Sequence, residues 1–131
     1  MFRTPTTLPS EIEVALKVAL DCAFAVHREL GPGFKEKIYE TAMCLEMESR
    51  GIRFESEKPI VVRHREWTIP GQRLDLLVEG KVVVEIKAVR SLKPLHRRQV
   101  VSYLKAAGLR AALVLNFNTS YLKHGIRRVV L

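Results

Sequence analysis

Apolar positions recur at helical spacing in the first 50 residues, and the first such segment is well bounded. Apolar side chains continue at this spacing from Ser10 to about Leu30, which predicts a helix. Ser10 and Glu13 match the S-x-x-E capping box that often opens a helix. Gly31, followed by Pro32, predicts its end.

A second helix is predicted from about Phe34 to Arg50, with Gly51 as its C-terminal stop. One apolar stripe on it should pack inward, and we expect this stripe to contain Ile38, Ala42 and Leu45. A neighbouring stripe follows the same spacing and contains Glu36, Tyr39, Glu40 and Met43.

Strand patterns follow these helices. Ile60–Val62 predicts a strand that turns near His64 toward Trp67–Ile69, and Pro70-Gly71 predicts another turn. Trp67 could stack on a base, although a single aromatic residue in a hairpin is more often a packing residue. Arg73–Val78 and Val82–Val89 predict a second hairpin. A third helix follows, with Ser91 as its cap and Pro94 in its first turn, and it ends at Ala107 before Gly108. The last predicted elements are strands at Ala111–Phe117 and Ile126–Leu131.

The alternation of apolar and polar residues along Arg73–Val78 and Val82–Val89 predicts how these two strands pair. Even positions from 74 to 88 are apolar, so we expect them to share the core face. A three-residue loop, Glu79 to Lys81, then sets Val78 opposite Val82 and Asp75 opposite Glu85. Lys87 follows Glu85 on the same face.

Two like carboxylates at cross-strand distance repel each other, and a cation between them removes the conflict. Mg²⁺ is commonly held by one or two carboxylates, and a nearby Lys can orient a water molecule or stabilise developing charge. A solvated Asp-Glu-Lys surface cluster is the alternative interpretation of this pattern.

Charge is distributed unevenly along the 131 residues. Residues 1–85 contain 12 Lys and Arg and 14 Asp and Glu, whereas residues 86–131 contain 10 Lys and Arg and no acid. Such a field favours a phosphate backbone as partner, with solubility alone as the alternative. A basic group after the last hairpin strand is a candidate nucleic-acid-binding surface or a solvated face, and it contains Arg90, Lys93, Arg97 and Arg98.

The composition, 47% apolar and 27% charged, is typical of a globular domain. We expect one domain over residues 1–131, with residues 1–9 as a flexible N-terminal arm. No segment predicts a signal peptide or a membrane span, so we expect a cytoplasmic protein without a membrane partner. Cys22 and Cys44 are expected to be free thiols.

The Asp75, Glu85 and Lys87 pattern resembles the D…(D/E)-x-K signature of the PD-(D/E)XK nuclease superfamily. The G-x-x-E-x-x-Y motif at Gly33–Tyr39, VEIKAV at Val84–Val89, and Gln99 with Tyr103 are similar to motifs of the GxxExxY proteins within it. The Pro that precedes the Asp in the superfamily is replaced here by Leu74.

This resemblance implies an α/β, restriction-endonuclease-like fold with a mixed central sheet flanked by helices. It implies a nuclease that uses Mg²⁺ or Mn²⁺ on DNA or RNA. The implied catalytic residues are Glu36, Asp75, Glu85, Lys87 and Gln99. The implied metal ligands are Asp75, Glu85, the backbone carbonyl of Ile86, and Glu36 directly or through water.

Tyr39, Tyr103 and His96 are possible site-lining residues, with packing as the favoured role of the two tyrosines. Two other functions stay open. One is a nucleic-acid-binding or complex-assembly module without catalysis, and the other is a homo-oligomeric protein that pairs through its last strand.

Overall fold

The computed structural model describes residues 8–131, so residues 1–7 of the predicted N-terminal arm lie outside the described part. Leu8, the next residue of that predicted arm, is buried in the core. The elements in chain order are α1 (Ser10–Leu30), α2 (Glu36–Ser49), β1 (Phe54–His64), β2 (Trp67–Val78), β3 (Val82–Lys87), α3 (Pro94–Ala107), β4 (Ala111–Asn116), a 3₁₀ turn (Leu122–Gly125) and β5 (Ile126–Val130).

The five strands form one sheet in the order β1-β2-β3-β4-β5. β3 and β4 are parallel, because α3 connects them, and every other neighbouring pair is antiparallel. This mixed sheet flanked by helices confirms the predicted restriction-endonuclease-like fold class. None of the described helices is both long and apolar enough to cross a bilayer.

Both faces of the sheet are buried. A first core packs α1 and α2 against one face and includes Leu16, Met43, Leu76, Val84 and Leu113. A second core packs α3 against the other face and includes Leu77, Val83, Val100, Leu104 and Val114. β3 and β4, the central strands, are therefore almost continuously apolar.

Neither predicted serine cap is present. Ser10 is the first residue of α1 rather than its cap, and Pro9 stands at the N-cap without a side-chain bond. Its predicted partner Glu13 instead binds Arg128 on β5, 3.2 Å from Nη1. Ser91 lies before α3, whose N-cap is Lys93, because Pro94 opens the helix.

The inward face of α2 was predicted wrongly. Ile38 and Leu45 are 46% and 61% exposed, and Ala42 is half-buried. The neighbouring stripe is the buried one, with Tyr39, Glu40, Met43 and Met47 inside. Both stripes have helical spacing, so periodicity alone could not choose between them; the packing of α2 against the sheet and α1 did.

Pro70-Gly71 is not a turn, because β2 continues through it. Ile60 pairs with Gln72 and Val62 with Ile69, so two residues of β2 oppose one residue of β1. This is a β-bulge, and Gly71 adopts φ +117° within it.

The predicted register of the second hairpin is confirmed, with Val78 opposite Val82 and Leu76 opposite Val84. One part of the parity prediction was wrong: Leu74 packs in the second core, whereas Leu76 packs in the first. Strict alternation therefore breaks at Asp75, the residue between them.

Candidate functional site

The candidate site lies where the β2–β3 ladder ends. Paired residues run only as far as Leu76 and Val84. One step further, side chains replace the backbone ladder: the Ile86 N–H donates to Asp75 Oδ2 at 2.8 Å, and the Asp75 N–H donates to Glu85 Oε1 at 3.2 Å. The two carboxylates are thus held against each other by reciprocal bonds to the opposite strand.

Burial dominates the electrostatics of these two acids. Glu85 is only 5% exposed, and burial, followed by the charge of Asp75, raises the pKa of Glu85 to about 8. Burial also raises the pKa of Asp75, and the bond from the Ile86 N–H and the charge of Lys87 oppose this rise. The pair therefore shares less than two full negative charges near neutral pH.

Lys87 follows on β3 and is half-buried, and its charge lowers the pKa of both acids. Neither Asp75 nor Glu85 has a cation within ion-pair distance anywhere in residues 8–131. A buried acid beside a half-buried one, without a close counter-charge, favours the binding of a cation.

α3 contributes a polar edge to this region. Burial raises the pKa of Tyr103, and the charges of Glu85 and Asp75 raise it further, so its hydroxyl lies near both acids. The side chain of Gln72 on β2 opposes this rise in the pKa of Tyr103. Gln99 is half-buried one helical turn before Tyr103, and its side chain has no hydrogen bond to any other residue of the described chain.

Glu36 reaches the same end of β3 from α2. It is the first residue of that helix and is exposed, and its Oε2 accepts the Ala88 N–H at 3.4 Å. It therefore lies at the rim of the site, just beyond Lys87.

Two further acids were missed from the sequence. Glu40 and Glu57 place carboxylate oxygens with one of Asp75 so that all three lie within 4.8 Å of one another. Glu40 lies one turn after Glu36 on the same stripe of α2, so the helical spacing could have predicted that it lies near the site. Glu57 gave no signal, because it is brought opposite Asp75 only by the β1–β2 register.

These two acids already have a counter-charge. The Nζ of Lys37 lies 3.0 Å from Glu40 and 3.6 Å from Glu57. Burial nevertheless raises the pKa of Glu40, because it is 7% exposed. Glu57 also adopts φ +51°, a strained conformation for a residue with a side chain.

Tyr39 and His96 have structural roles instead. Tyr39 is fully buried, donates from its hydroxyl to Gly31 O at 2.6 Å and stacks on Phe117 with ring centroids 4.7 Å apart. His96 Nδ1 accepts the Lys93 N–H at 3.0 Å and thereby closes the first turn of α3.

The predicted basic group is exposed at the start of α3. Arg90 precedes the helix, Lys93 caps it, and Arg97 and Arg98 follow in its first turns. None of the four forms an ion pair within residues 8–131. Because α3 begins just after β3 ends, these cations lie at the same end of the sheet as Lys87.

Comparison with known proteins places the chain in a family. The solved structure of SSO0001 superposes with a TM-score of 0.56 at 19% identity and covers 72% of this chain. The chain accounts for 48% of SSO0001, about half its length, so this likeness concerns the fold. No curated protein matches the sequence. The family model of the PD-(D/E)XK nuclease superfamily matches residues 13–129, and the chain therefore belongs to that superfamily.

Proposed function

We propose that this chain is a divalent-metal-dependent nuclease of the GxxExxY group that hydrolyses phosphodiester bonds in DNA or RNA. One observation carries the proposal: Asp75 and Glu85 are held together where the β2–β3 ladder ends, and Lys87 is the cation whose charge acts on both of them. Membership of a nuclease superfamily supports the reaction class. Its members generally use divalent metals.

We assign the cation to Asp75, Glu85 and the backbone carbonyl of Ile86. The Ile86 N–H points toward Asp75, and the carbonyl of a strand residue points to the same side as its N–H. The neighbouring carbonyl, of Lys87, faces the other way and accepts the Phe117 N–H at 2.9 Å. Three oxygen ligands of this kind suit Mg²⁺ or Mn²⁺.

Glu40 and Glu57 form the competing location for a cation, together with Asp75. We favour the Asp75–Glu85 side, because Lys37 already supplies charge to Glu40 and Glu57. Glu36, at the rim, would then act on the metal directly or through a water molecule.

A bound divalent cation would lower the pKa of a water molecule and offset the negative charge of the scissile phosphate. Lys87 would orient that water and stabilise charge that develops on the phosphate. Gln99 would hold the substrate from α3, where its side chain has no other bonding role within the described chain. The cations Arg90, Lys93, Arg97 and Arg98 would hold the flanking backbone.

Asp75→Asn tests the proposal, because Asp75 belongs to both possible cation sites. We expect wild type to bind Mg²⁺ or Mn²⁺ in calorimetry and to cleave a mixed panel of DNA and RNA, and we expect the variant to lose both. Asp21→Asn, an exposed acid on α1, is the matched control and should behave as wild type. Cleavage by Asp75→Asn at the wild-type rate would refute the site.

Glu85→Gln and Glu40→Gln then separate the two cation locations. The favoured assignment predicts loss of metal binding in Glu85→Gln and its retention in Glu40→Gln. The opposite pattern would move the cation to Glu40 and Glu57.

The second candidate is a nucleic-acid-binding or assembly module without catalysis, and the unpaired cations of α3 favour it. It predicts salt-sensitive binding of nucleic acid that needs no metal and produces no cleavage.

A further inference from the structure

The outer part of the β1–β2 hairpin extends beyond the rest of the sheet. We call residues 60–72 the β-ribbon. β2 has 12 residues and β3 has six, so the β-ribbon pairs only with itself. All ten residues from 61 to 70 are exposed. α3 approaches the base of the β-ribbon, where Ile60 joins the second core and Val61 and Arg63 line a shallow pocket with Ala106 and Ala107.

One face of the β-ribbon is apolar and aromatic. Val62 pairs with Ile69 and His64 pairs with Trp67, and residues paired in this way project from the same face. The His64 and Trp67 rings lie nearly parallel, with centroids 6.1 Å apart. Trp67 is 55% exposed, so it does not fill a core as the sequence favoured.

The β-ribbon is also cationic. Arg63 and Arg65 lie within it and Arg73 follows its base, against a single acid, Glu66. None of these four residues forms an ion pair in the part of the chain that the structure describes. Arg63 pairs with Thr68 and so projects from the face opposite Trp67, whereas Arg65 lies in the turn next to the apolar face. An exposed apolar face with an unpaired arginine at its end does not complement another cationic protein surface, but it does complement a polyanion with flat apolar groups.

We propose that the β-ribbon binds a single-stranded segment of nucleic acid, with a base stacked on Trp67 and a phosphate contacted by Arg65. Aromatic side chains flanked by cations are the general means of binding unpaired bases. A duplex hides its base faces, so the apolar face would have no matching surface on it. The class of partner rests on the proposed nuclease function.

The β-ribbon continues the same strands that carry Glu57 and Asp75. Trp67 is eight residues from Asp75 along β2, which corresponds to roughly 25 Å at about 3.3 Å per residue. The bulge at Pro70-Gly71 bends the strand between these two points. The β-ribbon would therefore grip the nucleic acid well outside the cleavage site, and it would select substrates that have a single-stranded region there.

The experiment is binding of a fluorescent oligothymidylate to the full chain in EDTA, measured by anisotropy at several salt concentrations. We expect Trp67→Ala to weaken binding about tenfold and Trp67→Phe to retain most of it. Arg65→Ala should lower the slope of log affinity against log salt by the amount expected for about one phosphate contact. Arg28→Ala removes the same charge from the exposed last turn of α1, which packs in the first core away from the β-ribbon, and is the matched control.

Wild-type affinity in Trp67→Ala, or equal effects of Arg65→Ala and Arg28→Ala, would overturn the proposal. So would equal weakening by Trp67→Ala of single strand and blunt duplex. Concentration-dependent sedimentation that Trp67→Ala abolishes, without an effect on oligothymidylate binding, would assign the face to a second copy of the chain instead. Because no metal is present, failure here leaves the Asp75→Asn test unaffected, and failure of that test leaves this one unaffected.

Discussion

At the residue scale, the main feature is a buried acid, Glu85, held beside a half-buried one, Asp75. Asp75 and Glu85 each accept a backbone N–H from the opposite strand, so they complete the sheet where its ladder ends. This bonding keeps both carboxyl groups in place at an electrostatic cost, and that cost appears in the raised pKa of Glu85. Such perturbed acids cluster at functional sites.

The pKa of Glu85 predicts how stability depends on pH. From about pH 4.5 to about pH 8, native Glu85 retains a proton that the unfolded chain releases. Unfolding then releases a proton, so the free energy of unfolding of the metal-free protein falls as pH rises, by up to about 1.4 kcal/mol per pH unit.

Glu85→Gln should flatten this dependence and should stabilise the metal-free protein at pH 8. Urea denaturation in EDTA across the pH range measures it. Glu29→Gln, an exposed acid at the end of α1, should leave the slope unchanged. A wild-type slope in Glu85→Gln would show that another group carries the proton.

At the element scale, Tyr39 fixes the connection between α1 and α2. Its hydroxyl donates to Gly31 O and accepts the Phe34 N–H at 3.1 Å, so it satisfies both ends of the loop. Its ring stacks on Phe117, next to the end of β4. Because Glu36 and Glu40 lie on the same helix, this clamp also sets where their carboxylates reach.

Tyr39→Phe should lower the free energy of unfolding by about 1–2 kcal/mol, because it leaves two backbone groups without their partner while the stacked ring remains. Tyr39→Ala should cost about 3–5 kcal/mol, since it also opens a cavity. Urea denaturation at one pH measures both. Tyr121→Phe alters a 66% exposed tyrosine and should leave the free energy of unfolding unchanged. An equal effect of Tyr121→Phe and Tyr39→Phe would show that the hydrogen bonds of the Tyr39 hydroxyl do not stabilise the connection.

At the scale of the whole molecule, the fold brings the first cations of the basic last third of the chain next to the acidic site. Acidic residues of α2, β1 and β2 meet at the end of β3, and α3 begins there with its exposed cations. A negative centre that can take a metal, bordered by positive groups, is suited to a phosphodiester substrate.

This distribution predicts a difference between two cations of one helix. Arg97→Ala, near the start of α3, should weaken nucleic-acid binding. It should also lower the slope of log affinity against log salt by the amount expected for about one phosphate contact. Lys105→Ala, in the last turn, should leave both nearly unchanged. Filter binding over a salt series measures the slopes, and equal slopes in the two variants would show that α3 does not contact phosphate at its N-terminal end.

Local patterns were sufficient for much of this protein. They predicted the three helices and six strand segments, two of which form the single strand β2. They also predicted the register that sets Asp75 opposite Glu85, because alternation has a period of two and a slip would expose an apolar face. The ends of α1 and α3 at Gly31 and Gly108 also followed from them, since both glycines adopt positive φ. The order of Asp75, Glu85 and Lys87 along the chain was sufficient to recognise the signature of the superfamily.

Other features depended on contacts between distant segments, so they could be seen in the tertiary structure but not in local sequence patterns. Which stripe of α2 faces inward was set by packing, because both stripes have the same spacing. Glu57 reached Asp75, 18 positions further along the chain, through strand pairing, and Pro70-Gly71 became a bulge because β1 pairs on both sides of it. Trp67 is exposed for the same kind of reason: β3 ends at Lys87 and leaves the outer half of the hairpin uncovered.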